Sequence, residues 1–257
     1  MDEQNITVEK IKAGILGALC ALLLSSVIIA AMAVVKNVQN KTPVAEPSNV
    51  SAAQTTPSTS QTQQDTKESG DDWKLLLINQ ENPLPDDYKT TATQLKNGQA
   101  VDERIYPELQ KMMDDARAAG LKPLICSSYR TSEKQKQLFD KKVEQYKQEG
   151  TAESEAVKQA SAWVAPPGTS EHEAGLAVDI VDMDNQQLNE TQEQTPTYKW
   201  LKENCAKYGF ILRYPPEKSE ITNVNYEPWH FRYVGKEHAE KIMSQGICLE
   251  EYIEQIK

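Results

Sequence analysis

Histidine, cysteine and phenylalanine are scarce in this 257-residue chain, with three, four and three copies respectively. So few cysteines exclude a disulfide framework. Cys20 lies in an apolar run, which leaves Cys126, Cys205 and Cys248 and at most one bridge. Cys205 with Cys248 is the pair to test if the domain lies in an oxidising compartment, and buried free thiols are the competing expectation. Basic residues are also in deficit: 28 Lys and Arg stand against 38 Asp and Glu, a net charge of −10. With no Lys/Arg cluster to offset it, this balance excludes nucleic-acid binding, which requires a basic face. There is no internal repeat, which excludes solenoids and propellers.

Two local absences divide the chain. Charge is missing from the 23 residues Ala13 to Val35, about the ~20 that a helix needs to cross the hydrocarbon core. Residues 13–35 are therefore expected to be a single transmembrane anchor behind a short tail, 1–12. They are longer than a secretory apolar region, although Ala31-Met32-Ala33 resembles a cleavage site. Lys10 and Lys12 before the span and Lys36 and Lys41 after it leave its orientation open. Aromatic residues are missing from Lys41 to Gly70, where fifteen of thirty residues are Ser, Thr or Gln. Such a segment cannot bury enough apolar surface to offset its conformational entropy, so 36–70 reads as a flexible linker. Residues 71–257 hold all four Trp and all three His and suffice for one domain with its own core.

Within that domain, Leu109, Met112, Met113 and Ala116 share a helical face that Gly120 closes. LKPLIC reads as a strand leading into Ser127-Ser128-Tyr129-Arg130. Ser132 and Gln135 have the spacing of a capping box ahead of a helix with Leu138, Phe139 and Tyr146 on its buried side. ESEAVKQASAWVA is a second helix that stops before Pro166-Pro167, and both helices read as scaffold. LAVDIVDM is a buried strand. Tyr198, Leu201, Cys205 and Tyr208 mark a helix closed by Gly209, followed by strands FILRY and WHFRYV and helices around Ala239 to Met243 and Leu249 to Ile256. Helices and short strands mix without a βαβ repeat, so the expected class is α+β, a small, largely antiparallel sheet with flanking helices.

Asp179 sits among apolar residues in its strand, and a carboxylate there is costly unless paired or bound to a metal. His172 lies seven residues earlier in a loop that can turn at Gly175. Pro228 forces Glu227 into extended chain, which rules out a helical HExxH arrangement and puts the second His, His230, on a strand. Alternation places Trp229, Phe231 and Tyr233 toward the core and leaves His230 and Arg232 on a cleft face. Two His and one carboxylate form a catalytic zinc set. Glu227 is the candidate base, with Glu171 and Glu173 weaker because loop charges are usually solvated. Arg130 can grip a carboxylate in bidentate fashion, steady an oxyanion, or form a structural salt bridge. His238 reads as a surface residue. A cysteine hydrolase using Cys126 with His172 or His230 competes, but it leaves Asp179 and Glu227 without a role.

In this order and spacing, SSYR, SEHEAGLAVD and EPWHFRY resemble the VanY-type D-alanyl-D-alanine carboxypeptidases, zinc peptidases of bacterial peptidoglycan. The resemblance runs from about Trp73, through LINQENPLPDDY, to the C-terminus. It implies a compact α+β fold of the D-Ala-D-Ala carboxypeptidase/Hedgehog-like kind and one Zn2+ held by His172, Asp179 and His230. It also implies Glu227 as base, Arg130 as a substrate-binding catalytic residue, and pocket contributions from Gln137 and Ser170. The partners it implies are peptidoglycan stem peptides, met by a domain on the outer side of the membrane; a monomer is favoured. An L,D-carboxypeptidase acting on tetrapeptide stems is the alternative, and an inactive wall-binding sensor a more distant one.

Overall fold

The computed structural model describes residues 72–257. The expected membrane span and linker lie outside the described residues, and among the described residues no helix is long and apolar enough to cross a membrane. After a single 3-10 turn at Asp72–Leu75, the chain forms a short hairpin, β1 (Ala92–Gln94) and β2 (Ala100–Asp102). Helix α1 (Tyr106–Ala118) follows, with Pro107 tolerated in its first turn, where no helical N–H bond is needed. It buries Leu109, Met112, Met113 and Ala116 as their spacing predicts. Each of the three larger side chains contributes about 1.5–3 kcal/mol on leaving water.

After β3 (Pro123–Ser127), helices α2 (Ser132–Gln148) and α3 (Glu153–Ser161) pack against each other. Then come β4 (Ala177–Asp182), α4 (Pro196–Asn204), β5 (Phe210–Leu212), the short α5 (Ser219–Thr222), β6 (His230–Tyr233), α6 (Lys236–Gln245) and α7 (Leu249–Ile256). The main sheet has the order β3-β4-β6-β5 and is antiparallel throughout, as the expected α+β class requires. Leu176, Val178 and Ile180 enter the main core with residues of α1 and α4, and a smaller core forms around Ile211, Ile242 and Leu249 beneath α6 and α7.

Sheet register positions the site. Asp179 is paired with Ser127 of β3 on one side and with His230 of β6 on the other. The β3 side depends on a bulge: Ile125 faces Ile180, yet Ser127, two residues on, faces Asp179. The extra residue is Cys126. Bulges re-aim side chains in this way beside functional sites.

Three local expectations are corrected. The cap of α2 is Thr131, whose hydroxyl accepts from Lys134 N at 3.2 Å, one residue ahead of the Ser132–Gln135 box. Gln135 is instead buried and serves the site. Leu138, Phe139 and Tyr146 are only half-buried, and Leu138 lines a cavity. The cysteines follow the competing expectation: Cys126, Cys205 and Cys248 are free thiols, the last two buried. His238 is half-buried rather than on the surface, with Nδ1 2.8 Å from the Tyr252 hydroxyl.

Candidate metal centre and catalytic cavity

His172, Asp179 and His230 converge, with one potential ligand atom from each lying within 4.8 Å of the others. Asp179 Oδ1 is 3.1 Å from His230 Nδ1 and 3.4 Å from His172 Nε2. It is buried and accepts no hydrogen bond, although such buried oxygens are almost always satisfied. A carboxylate oxygen left bare between two imidazole nitrogens fits a cation shared by all three. The mixed nitrogen and oxygen donor set, with one carboxylate, suits a divalent transition metal such as zinc.

Each ligand is held from behind. His172 Nδ1 faces the Ser128 carbonyl at 2.9 Å, which leaves Nε2 for the site. The loop carrying His172 turns back at Gly175, whose φ of +70° only glycine adopts without strain. A Cβ there would lie 2.8 Å from Thr90 Cγ2 and 2.9 Å from the Asp102 backbone N, so the turn is pressed against the β1–β2 region. Asp179 Oδ2 accepts from Arg130 Nη2 at 3.1 Å. The ring of His230 is reversed relative to that of His172, with Nδ1 toward the cluster and Nε2 3.2 Å from Glu171 Oε2.

Glu227 follows its expected placement. Pro228 starts a turn in which His230 N donates to the Glu227 carbonyl at 3.1 Å, bringing the two side chains to one side. Glu227 Oε2 is 3.6 Å from His230 Nδ1. Burial pushes this carboxyl up to about 8, which suits proton transfer near neutrality. Burial, reinforced by Arg130, brings His172 down to about 4. For His230, burial acts in the same direction, but the carboxylates of Asp179 and Glu171 outweigh it and push the imidazole up to about 9. Asp179 itself is held well below the usual carboxylate range, its two histidine partners overcoming the effect of burial.

The cluster opens into a cavity of about 710 Å3 lined by Arg130, Ser170, His172, Asp179, Glu227 and His230, with Tyr214 and Trp229 beside them. Its far wall comes from α2, through Leu138, Lys141, Lys142 and Gln145, and from the end of α3 at Ser161, with Trp163 just beyond it. These two helices are therefore part of the binding surface as well as scaffold, a role that helical periodicity does not signal.

Arg130 is where expected, and of its expected roles the structure shows the salt bridge, to Asp179. Its Nε and Nη2 donate to Ser127 Oγ at 3.0 and 2.7 Å, Nη2 also to Asp179, and Nη1 to Gln135 Oε1 at 3.1 Å. The bidentate fork is thus already used, and one Nη1 hydrogen remains for another partner. Ser170 lines the cavity, and its Oγ accepts from His172 N at 3.3 Å. Gln137 is not brought there: it is exposed and donates to Glu133 on the outer face of α2. Gln135, two residues earlier, links Arg130 to the Ala165 carbonyl.

The alternation expected here holds for His230 at the cleft and for Phe231 and Tyr233 in the core, but Arg232 does not line the cleft and Trp229 does. Arg232 is wholly buried, donating to Glu171 Oε1 and to the carbonyls of Lys74 and Leu76. Glu171 and Glu173 are not solvated either: Glu173 accepts from Gly168 N, and Glu171 lies between Arg213 and Arg232. The only signal in the chain for this buried network was an arginine within each of the apolar strands FILRY and WHFRYV.

An antiparallel sheet that sets a carboxylate and an imidazole side by side, a second imidazole on a loop and a buried carboxyl at a cavity wall define a mononuclear metallohydrolase. The sequence profile of the VanY D-alanyl-D-alanine carboxypeptidases matches residues 98–236. A D-alanyl-D-alanine carboxypeptidase of Enterococcus faecalis (strain ATCC 700802 / V583) is 51% identical over 189 residues, 73% of this chain and 69% of that protein. A solved vancomycin-resistance D,D-pentapeptidase of the VanY type, in complex with Zn(II), superposes with a TM-score of 0.65 and 50% identity, covering 70% of this chain and 99% of that one. The LdcB LD-carboxypeptidase superposes with a TM-score of 0.58 and 35% identity, covering 70% and 86%. The chain belongs to the VanY family of D-alanyl-D-alanine carboxypeptidases.

Proposed function

We propose that this protein is a zinc-dependent D,D-carboxypeptidase that removes the C-terminal D-alanine from peptidoglycan stem peptides. The observation that carries this is the bare, buried Asp179 Oδ1 between two imidazole nitrogens, with the Glu227 carboxyl beside them at the wall of a large cavity. The 50% identity to a D,D-pentapeptidase supports D,D specificity over the L,D reading, whose structural relative is 35% identical.

His172, Asp179 and His230 would hold the zinc, which supplies Lewis-acid polarisation of the scissile carbonyl and lowers the pKa of water. Glu227 takes the proton of the attacking water and returns it to the leaving amine, a task matched to its raised pKa. Arg130 places a fixed positive charge at the cavity wall and offers its remaining Nη1 hydrogen to the substrate. Its bonds to Ser127, Gln135 and Asp179 hold it in place before substrate arrives, so little reorganisation is needed when negative charge develops. The cavity volume of about 710 Å3 lies within the roughly 300–1,000 Å3 usual for pockets that enclose a small-molecule ligand.

The uncharged stretch 13–35 and the aromatic-free segment 36–70 support an anchored domain facing the cell wall on a tether. The deciding experiment incubates the full chain in detergent with pentapeptide and tetrapeptide stems, with zinc and after chelation. Zinc-dependent release of D-alanine from the pentapeptide is expected. Release from the tetrapeptide alone would establish the L,D reading instead, and equal turnover after chelation would end the zinc mechanism.

A further inference from the structure

The Glu171 carboxylate is fully buried, and its two oxygens have separate partners. Oε1 accepts from Arg213 Nε at 2.7 Å and from Arg232 Nη1 at 2.9 Å, while Oε2 faces only His230 Nε2, at 3.2 Å. The arginines are satisfied in turn. Arg213 gives both terminal nitrogens to Glu250 of α7, and Arg232 gives its other donors to the carbonyls of Lys74, Leu76 and Tyr233. Two carboxylates face two guanidiniums, so the buried group is neutral as a whole and Glu171 stays ionised.

We infer that Glu171 is a positioning residue for the metal centre: it fixes the Nε2–H tautomer of His230 and so leaves the Nδ1 lone pair as the metal ligand. A neutral imidazole has one N–H and one lone pair, and the hydrogen bond made by one nitrogen decides the role of the other. If the proton sat on Nδ1, an N–H would point at Asp179 Oδ1, 3.1 Å away, and no lone pair would face the cluster. An ionised carboxylate that cannot turn away, because two arginines hold its other oxygen, removes that option. It also strengthens the basicity of the ligating nitrogen, as carboxylates behind metal-bound histidines do. His172 is held differently, by the neutral Ser128 carbonyl. The two histidines are therefore unequal: one is supported by a fixed charge that reaches α7 and the segment at Lys74 to Leu76, the other by a backbone dipole. This inference rests on the zinc reading above and concerns which residue controls the site.

The test has two arms. With only three histidines in the chain, 15N-histidine labelling of the zinc-loaded full-length protein resolves each ring. The expected pattern is protonated Nε2 and metal-bound Nδ1 for His230, and the reverse for His172. In the second arm, zinc affinity is measured by competition with a chromophoric chelator. Glu171→Gln is expected to weaken binding by about 10–100-fold, and Glu250→Gln, which breaks the same charge group without touching His230, by less than about threefold. A merely structural role would lower the melting temperature of both variants and leave their affinities alike. That result, or zinc on Nε2 of His230 in the unmutated protein, overturns the inference while the zinc reading stands. If Glu171→Gln does not fold, the labelling arm decides alone. A native chain that binds no zinc overturns both.

Discussion

Asp179 and His230 are direct cross-strand partners on β4 and β6, and their facing atoms lie 3.1 Å apart without a hydrogen bond between them. Sheet register thus sets two of the three proposed ligands, and a one-residue slip would turn them to opposite faces. Asp179→Asn keeps the shape and removes the charge. Zinc affinity should fall by more than about 100-fold, beyond the roughly 10–100-fold typical of residues that only support a ligand. Near-native affinity in a chelator competition would remove Asp179 from the ligand set.

Glu227→Gln should retain zinc and lose about 10^2–10^4-fold in kcat, the usual contribution of a general base. A stability effect of opposite sign should accompany it. A carboxyl raised to about 8 in the folded protein binds its proton more tightly there than in the unfolded chain, so it costs stability as pH rises from the unfolded carboxyl pKa toward 8. In chelator-treated protein the variant should therefore melt above the parent, by a margin that widens between pH 5 and pH 8. A margin independent of pH would show that Glu227 is not a perturbed acid.

Zinc uptake should release protons. Without metal His230 is pushed up to about 9 and Glu227 to about 8, so a dication that takes the Nδ1 lone pair beside Asp179 competes with protons at both groups. Calorimetry in buffers of different ionisation enthalpy should find about one to two protons released per zinc at pH 7, and fewer above pH 9. Release of none would contradict the placing of His230.

The Cys126 thiol is pushed up to about 12, chiefly by burial, and Asp179 adds to the shift. Thiolate is then negligible at neutral pH. Iodoacetamide at pH 7 should leave activity intact, and Cys126→Ala should retain it; a chelator should abolish it. Inhibition by the alkylating agent would revive a cysteine mechanism.

Gly175→Ala forces a side chain into the left-handed region and against Thr90 and the Asp102 backbone. The loop carrying His172 would shift, at a cost of about 1–3 kcal/mol for the strained backbone. Denaturant unfolding measures that cost, and an unchanged midpoint would show that the β1–β2 region yields freely.

Much of the protein was determined by the sequence alone, wherever the determinants are local. The α1 face, the buried β4 strand and the absence of a helix at Glu227–His230, where Pro228 sits in a turn, follow from spacing and backbone restriction. His172, Asp179, Glu227 and His230 stood out because histidine is rare and a carboxylate in an apolar strand needs a partner. Other features belong to contacts between distant segments, and only the tertiary structure decided them. Arg232 turns away from the cleft because Glu171, 61 residues earlier, is buried beneath it. Gln135 rather than Gln137 reaches Arg130 because the cap at Thr131 sets the phase of α2. The bulge at Cys126 brings Ser127 opposite Asp179. Periodicity predicts which side of an element is buried; which buried charge meets which depends on how the elements pack.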